Sequence, residues 1–163
     1  MCPKSNRTHR PLLIDTSPLL LLMVGTYDTG LITKFKRVKC YSPTDFDLLV
    51  QFLVKRRVLV TPGVMAEVTN MAMELKSHGF MGLIESNMES LKRMGECHIT
   101  KDVILETAEF KKVGFTDTSI IIAAKENEGE VLTADHPLCS RCRTRGIPVT
   151  HIMELQSRST LFY

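Results

Sequence analysis

The chain has 163 residues, 44% hydrophobic and 24% charged, the balance of one globular domain rather than of a disordered tail or a fibrous repeat. A formal net charge of +3 is too small a surplus to argue by itself for an anionic partner. The 5 cysteines are odd in number and scattered, which speaks against a secreted disulfide scaffold and suits reduced thiols in a cytoplasm.

Lys4, Arg7 and Arg10, followed by Leu12-Leu13-Ile14 and an apolar run from Leu19 to Val24, imitate a signal peptide. Asp15 splits that stretch and Thr16-Ser17-Pro18 punctuates it, and the run falls far short of the ~20 residues a bilayer span needs. No export and no membrane partner are expected. Residues 1–10 read as an extension and 11–163 as one domain.

In chain order, Pro11 to Asp15 reads as a buried strand and Pro18 to about Val24 as a short apolar helix. Residues 25–41, with Lys34, Lys36, Arg37 and Lys39, read as an excursion out of the core and a probable insertion. Ser42 as cap, Pro43 at the first helical position and Asp45 in the first turn open a helix running to about Arg56. Val58 to Thr61 is a strand, and Pro62 starts a helix with Val64, Val68, Met71 and Leu75 on one face. A helix over Met81 to Arg93 follows, then a brief strand at His98-Ile99 and a helix from the cap Thr100 to about Lys112. Thr116 caps the next helix, Glu130 to Thr133 is a strand, Pro137 to Arg145 a helix, and Pro148 to Ile152 the last strand. Strands separated by helices imply an α/β fold, a parallel β-sheet sandwiched by helices in three layers.

The chemistry lies in four acids at element ends. Asp15 ends the first strand, Glu67 sits early in the helix after the second, Asp117 opens a later helix, and Asp135 lies just beyond Val131-Leu132-Thr133. Ligands of an open parallel sheet gather at the carboxyl ends of its strands, and all four acids belong to that edge. Each alone has an ordinary explanation, as a helix cap or a charge favouring a helix N-terminus. Together they repel, and a shared acidic site suits a hard cation such as Mg²⁺ or Mn²⁺. Cys139 and Cys142 form a CxxC pair three residues after His136, but no second ligand pair follows, and buried thiols are the plainer account.

Several segments together resemble the PIN-domain ribonucleases: Leu12-Leu13-Ile14-Asp15-Thr16-Ser17, Val60-Thr61-Pro62 through Met65-Ala66-Glu67-Val68, Thr116-Asp117-Thr118-Ser119 through Ala124, and Val131-Leu132-Thr133-Ala134-Asp135. The resemblance runs in order from Pro11 to Ile152. It implies a PIN-like three-layer fold and a metal-dependent endoribonuclease, with Asp15, Glu67, Asp117 and Asp135 as catalytic and metal-holding residues and RNA as substrate. It also implies the toxin of a toxin–antitoxin pair, or an RNA-processing enzyme, with an antitoxin protein and a second copy of the chain as candidate partners. The stretch between Asp15 and Glu67 is longer than in compact members, and the CxxC lies outside the family's core.

Thr16, Ser17 and Thr133 are candidate hydroxyls for orienting the carboxylates. An acidic pocket needs basic residues at its rim to draw RNA in, and Lys34, Lys36, Arg37 and Lys39 or Arg141, Arg143 and Arg145 are the candidate clusters. With no Trp, 3 Tyr and 7 Phe, no aromatic stacking platform is expected. Two other readings stand beside the nuclease: a non-catalytic scaffold that binds RNA or protein, and an aspartate-based phosphotransfer enzyme using Asp15. The latter wants a second aspartate where Ser17 stands.

Overall fold

The computed structural model describes residues 10–75 and 79–159; the expected N-terminal extension lies, except for Arg10, outside the described residues. Five short strands pair in one all-parallel sheet: β1 (Leu12–Ile14), β2 (Val58–Val60), β3 (Gly95–Glu96), β4 (Glu130–Thr133) and β5 (Val149–His151), in the order β3-β2-β1-β4-β5. At the centre, Leu13 of β1 stands opposite Leu59 of β2 and Val131 of β4. All of β1 is buried, because a central parallel strand is covered on both faces and has no polar side to show.

The chain steps from β1 to β3 in one direction and returns to β4 and β5 on the other side of β1. Right-handed crossovers therefore lay two sets of helices on opposite faces. The first set is α1 (Thr16–Tyr27), α2 (Pro43–Leu53), α3 (Pro62–Ala72) and α4 (Gly79–Arg93). The second is α5 (Lys101–Glu106), α6 (Phe110–Val113), α7 (Phe115–Glu126) and α8 (His136–Thr144). A last helix, α9 (Glu154–Ser159), packs on α2. The α/β class and the layered arrangement are those the sequence implies.

The run that imitates a signal peptide is the heart of the core. Leu19, Leu20, Leu21, Met23 and Val24 of α1 are at most 1% exposed, and the helix packs against α2, α3 and α4. A helix apolar all round must be buried all round. It approaches α2 so closely that a Cβ on Gly25 would stand 2.2 Å from Cδ2 of Phe46. No helix among the described residues is long and apolar enough to cross a membrane.

Segment 25–41 is not an excursion out of the core. Its first residues finish α1, and a 3₁₀ turn at Thr29–Leu31 follows. Ile32, Phe35, Val38 and Tyr41, spaced three apart, are then at most 7% exposed, while Lys34, Lys36, Arg37 and Lys39 between them face solvent. The helix after it ends at Leu53 rather than Arg56, and Lys55 turns the chain at φ 66.

Three further expectations are corrected. The third strand is Gly95–Glu96, which pairs with Leu59 and Val60, so His98 and Ile99 lie past the ladder. The helix expected from Thr100 to Lys112 breaks where Thr107 turns extended (φ −76, ψ 133). That break delivers Glu109, 2% exposed, to Arg141 of α8 and to Arg145, which caps its end. Finally, Thr116 lies inside α7 and is not its cap. Gly114 takes that place with φ 83, a conformation that favours a residue without Cβ.

Candidate active site at the carboxyl edge of the sheet

Where the strand order reverses, at the carboxyl ends of β1 and β4, a cleft of about 380 Å³ is lined by Asp15, Glu67, Asp117 and Asp135 together. Local structure positions each one. Asp15 follows β1 and caps α1, accepting the Thr16 N–H at 2.6 Å on Oδ1. Asp135 follows β4 and caps α8, accepting the Leu138 N–H at 2.7 Å. Glu67 projects from the second turn of α3 and Asp117 from the first turn of α7. Capping and cleft-lining are thus combined in the same two aspartates. Exposure increases from buried Asp15, through half-buried Glu67 and Asp117, to exposed Asp135.

Hydroxyls hold the carboxylates. Thr133 donates to Asp15 Oδ2 at 2.6 Å and accepts the Asp135 N–H at 2.9 Å, tying the two strand-end acids together. Thr16 donates to Glu67 Oε2 at 2.8 Å, and Thr116 to Oε1 at 2.6 Å. Ser17 bonds no acid; its hydroxyl lies 2.9 Å from that of Tyr41, and both residues line the cleft. Thr116 and Tyr41 escape the sequence reading. Thr116 carries a weak signal, its place beside Asp117, but that place reads equally well as a cap. Tyr41 lies in a turn and carries none.

The four acids feel one another. Burial raises the Asp15 carboxyl above its ordinary value; the Thr133 and Thr16 bonds oppose this, and the charges of Asp135 and Glu67 add to it. Asp117 is pushed up to about 7, by burial first and then by Asp15, Asp135 and Glu67. Burial likewise raises the Tyr41 phenol. Arg37 is the one basic side chain on the cleft wall among the described residues, and it is committed elsewhere. Its Nε reaches Glu74 at 3.0 and 3.1 Å and Lys36 joins at 2.9 Å, hydrogen bonds that hold Glu74 down at about 2. Lys34 and Lys39 are exposed beside them.

The donor set is carboxylate oxygen without a local counter-charge, the chemistry that suits a hard divalent cation. Among the described residues no three of His, Cys, Asp and Glu are gathered tightly enough to hold an ion as they stand. The oxygens of Asp15, Glu67 and Asp135 rest instead on the hydroxyls and amides just named.

The second basic cluster is tied down. Arg141 Nε lies 3.1 Å from Glu109, Arg145 also pairs with Glu109, and Arg143 pairs with Glu154 at 2.6 Å. Both carboxylate oxygens of Glu109 are buried without a hydrogen-bond partner, so those contacts are ionic rather than directed. Glu109→Ala should lower stability by about 1–3 kcal/mol, since it removes the buried carboxylate that half-buried Arg141 and exposed Arg145 both face. Arg143→Ala, which breaks an exposed pair, should change it by less than about 1 kcal/mol. Equal shifts in chemical denaturation for the two variants would contradict this reading of Glu109.

Cys139 and Cys142 are buried on α8, and burial with the neighbouring Cys139 pushes the Cys142 thiol up to about 12. His136 stacks instead on His151, with ring centroids 4.3 Å apart. The thiols are packing groups, as their plainer reading has it. No protein-family model matches the chain, and no curated protein matches it.

Proposed function

We propose that the protein is a divalent-metal-dependent endoribonuclease that hydrolyses phosphodiester bonds in the acidic cleft. The observation that carries this reading is the convergence of Asp15, Glu67, Asp117 and Asp135 on one cleft whose single basic residue among those described is paired with Glu74. A fold has no structural need for four carboxylates on one cleft, where the neighbouring charges raise Asp15 and Asp117, and a cation relieves the cost. Asp15, Glu67, Asp117 and Asp135 would hold Mg²⁺ or Mn²⁺. A bound ion of this kind supplies charge stabilisation at the phosphate oxygens and an acidified water.

The chain's own residues do the positioning. Thr133 holds Asp15, while Thr16 and Thr116 clamp both oxygens of Glu67, so two carboxylates cannot swing away from the cleft. Asp117, raised to about 7 without a cation, would give up its proton as the ion binds, so metal uptake should release a proton near neutral pH. The phosphotransfer alternative needs a free nucleophilic oxygen on Asp15. That residue is 6% exposed and both its oxygens already accept hydrogen bonds, which disfavours it. A scaffold without catalysis leaves the four acids without a purpose.

The test is Mn²⁺-dependent cleavage of a mixed RNA panel beside a metal-free control; no cleavage with Mn²⁺ or Mg²⁺ would remove the proposal. RNA would enter past Lys34 and Lys39, exposed beside the cleft, and past Lys36 and Arg37, which share Glu74. Neutralising all four should weaken RNA binding and flatten its salt dependence by about 0.7 in log–log slope for each phosphate no longer neutralised. An unchanged slope in salt titrations would place the RNA elsewhere.

A further inference from the structure

Tyr41 ends the segment that follows the 3₁₀ turn. Ile32, Phe35 and Val38 pin that segment to the core, and Tyr41, next in the same spacing, is 7% exposed. Its backbone is held on both sides. The Tyr41 N–H donates to the Val38 carbonyl at 2.9 Å, and Ser42 opens α2 with bonds to and from Asp45. A buried ring on so fixed a backbone has little freedom. The phenol therefore keeps one place on the cleft wall, 2.9 Å from the Ser17 hydroxyl.

The hydroxyl protons in and around the cleft are unequally committed. Thr16 and Thr116 spend theirs on Glu67, and Thr133 spends its own on Asp15. Ser17 and Tyr41 hold two protons and share one bond, and neither hydroxyl has another partner among the described residues. One proton of the pair is left over. A phenol is the stronger acid and the poorer acceptor, so Tyr41 donates and Ser17 keeps the free proton. Burial raises the phenol above its ordinary value; the Ser17 bond opposes this, and the charge of Asp15 is among those that add to it. Tyr41 thus stays protonated at neutral pH, and its bond polarises the Ser17 hydroxyl into a better donor.

We propose that Ser17 gives this proton to a non-bridging oxygen of the phosphodiester in the cleft, with Tyr41 as the positioning residue that aims it. The inference rests on the nuclease reading and adds to it the residues that hold the reacting group. Four carboxylates present acceptors only, and so do the oxygens of a phosphodiester. A phosphate oxygen turned away from a bound cation needs a donor. Arg37, the one basic residue on the described wall, is turned to Glu74. Among the hydroxyls, only the Ser17–Tyr41 pair has a proton to give. Being uncharged, a hydroxyl also meets the phosphate without pairing off the acids, as a lysine or arginine in its place would do.

A dinucleoside monophosphate has one phosphodiester and leaves no choice of register. Each of its two phosphorothioate diastereomers carries sulfur, a poor acceptor, in place of one non-bridging oxygen. Binding of all three is measured by NMR titration with Ca²⁺, and cleavage with Mn²⁺. The proteins are wild type, Ser17→Ala, Tyr41→Phe and the double variant, with circular dichroism to confirm folding. Ser17→Ala should weaken binding of the phosphodiester about 10- to 100-fold. On the diastereomer whose sulfur faces Ser17, the same change should cost less than about 3-fold. Tyr41→Phe leaves Ser17 its proton without its aim and should cost about 2- to 10-fold. The double variant should bind no worse than Ser17→Ala, because Tyr41 acts through Ser17. Equal losses on the phosphodiester and both phosphorothioates, losses that multiply in the double variant, or a wild type that does not bind the phosphodiester would each overturn the inference. Mn²⁺-dependent cleavage indifferent to Ser17→Ala sinks the Ser17 contact alone. The phosphorothioate signature in binding, without metal-dependent cleavage, sinks the nuclease reading alone.

Discussion

Asp15→Asn is expected to abolish cleavage, by at least about 100-fold, while leaving the protein folded and its RNA affinity equal to or above wild type. Losing several kcal/mol of charge stabilisation in the transition state costs a factor of ten per 1.36 kcal/mol. The fold should survive, because asparagine caps helices as well as aspartate does, and the side-chain oxygen that accepts the Thr16 N–H remains. Affinity should not fall, because a negative charge near phosphate is removed. Asp117→Asn should behave in the same way. Kinetics on purified variants, with circular dichroism to confirm folding, decides the matter. Undiminished metal-dependent cleavage by Asp15→Asn would remove the mechanism, whatever the fold.

The second large effect is on stability, and its sign follows from the direction of the shifts. Asp117 is raised from 3.8 to about 7 in the folded protein, and Asp15 is raised too. The native state therefore binds more protons than the unfolded chain between about pH 4 and 7. Stability must fall as pH rises through that window and stay low above it. Burial would raise buried Asp45 and half-buried Glu130 too, but hydrogen bonds hold them below their ordinary values, from Gln156 and Ser42 in one case and Thr150 and Arg56 in the other. Their contribution is lost only as pH drops below about 4, outside the window. Asp117→Asn should flatten the decline and, at pH 8 without metal, stabilise the fold by about 1–2 kcal/mol after discounting for solvent screening. Millimolar Mn²⁺ should raise Tm by about 5–10 °C at pH 8 if its Kd is near 10 μM, and by less at pH 5, where protons compete. Thermal melts at the two pH values, with and without Mn²⁺, check both halves. A Tm indifferent to pH and to Mn²⁺ would mean that the acids bear no common strain.

What was legible in the sequence is what is dictated locally. Leu12-Leu13-Ile14 and Val131-Leu132 read as buried strands, and an acid just past each is easy to place at the sheet's edge. Glu67 and Asp117 follow from helix positions in the same way. The parts that stayed hidden are decided by distant partners. Gly95 and Glu96 are a strand only because Leu59 and Val60 pair with them. Thr107 interrupts a plausible helix where Glu109 turns inward to Arg141 and Arg145. That clamp also shows why three arginines in five residues did not mean a free basic surface. In residues 32–41 the lysines are conspicuous, and the apolar residue at every third place, which fixes the segment to the core, is not.

Thr133 has a bearing on how the protein is made. Its hydroxyl joins Asp15 across 118 residues of chain, and the Thr16–Glu67 and Thr116–Glu67 bonds span 51 and 49. No local segment can assemble the cleft, and such long-range closure comes late in folding. A nascent chain that has not yet exposed β4 lacks both Asp135 and the donor that fixes Asp15. Whatever chemistry the cleft performs, the proposed RNA cleavage included, must wait until the second half of the sheet is in place.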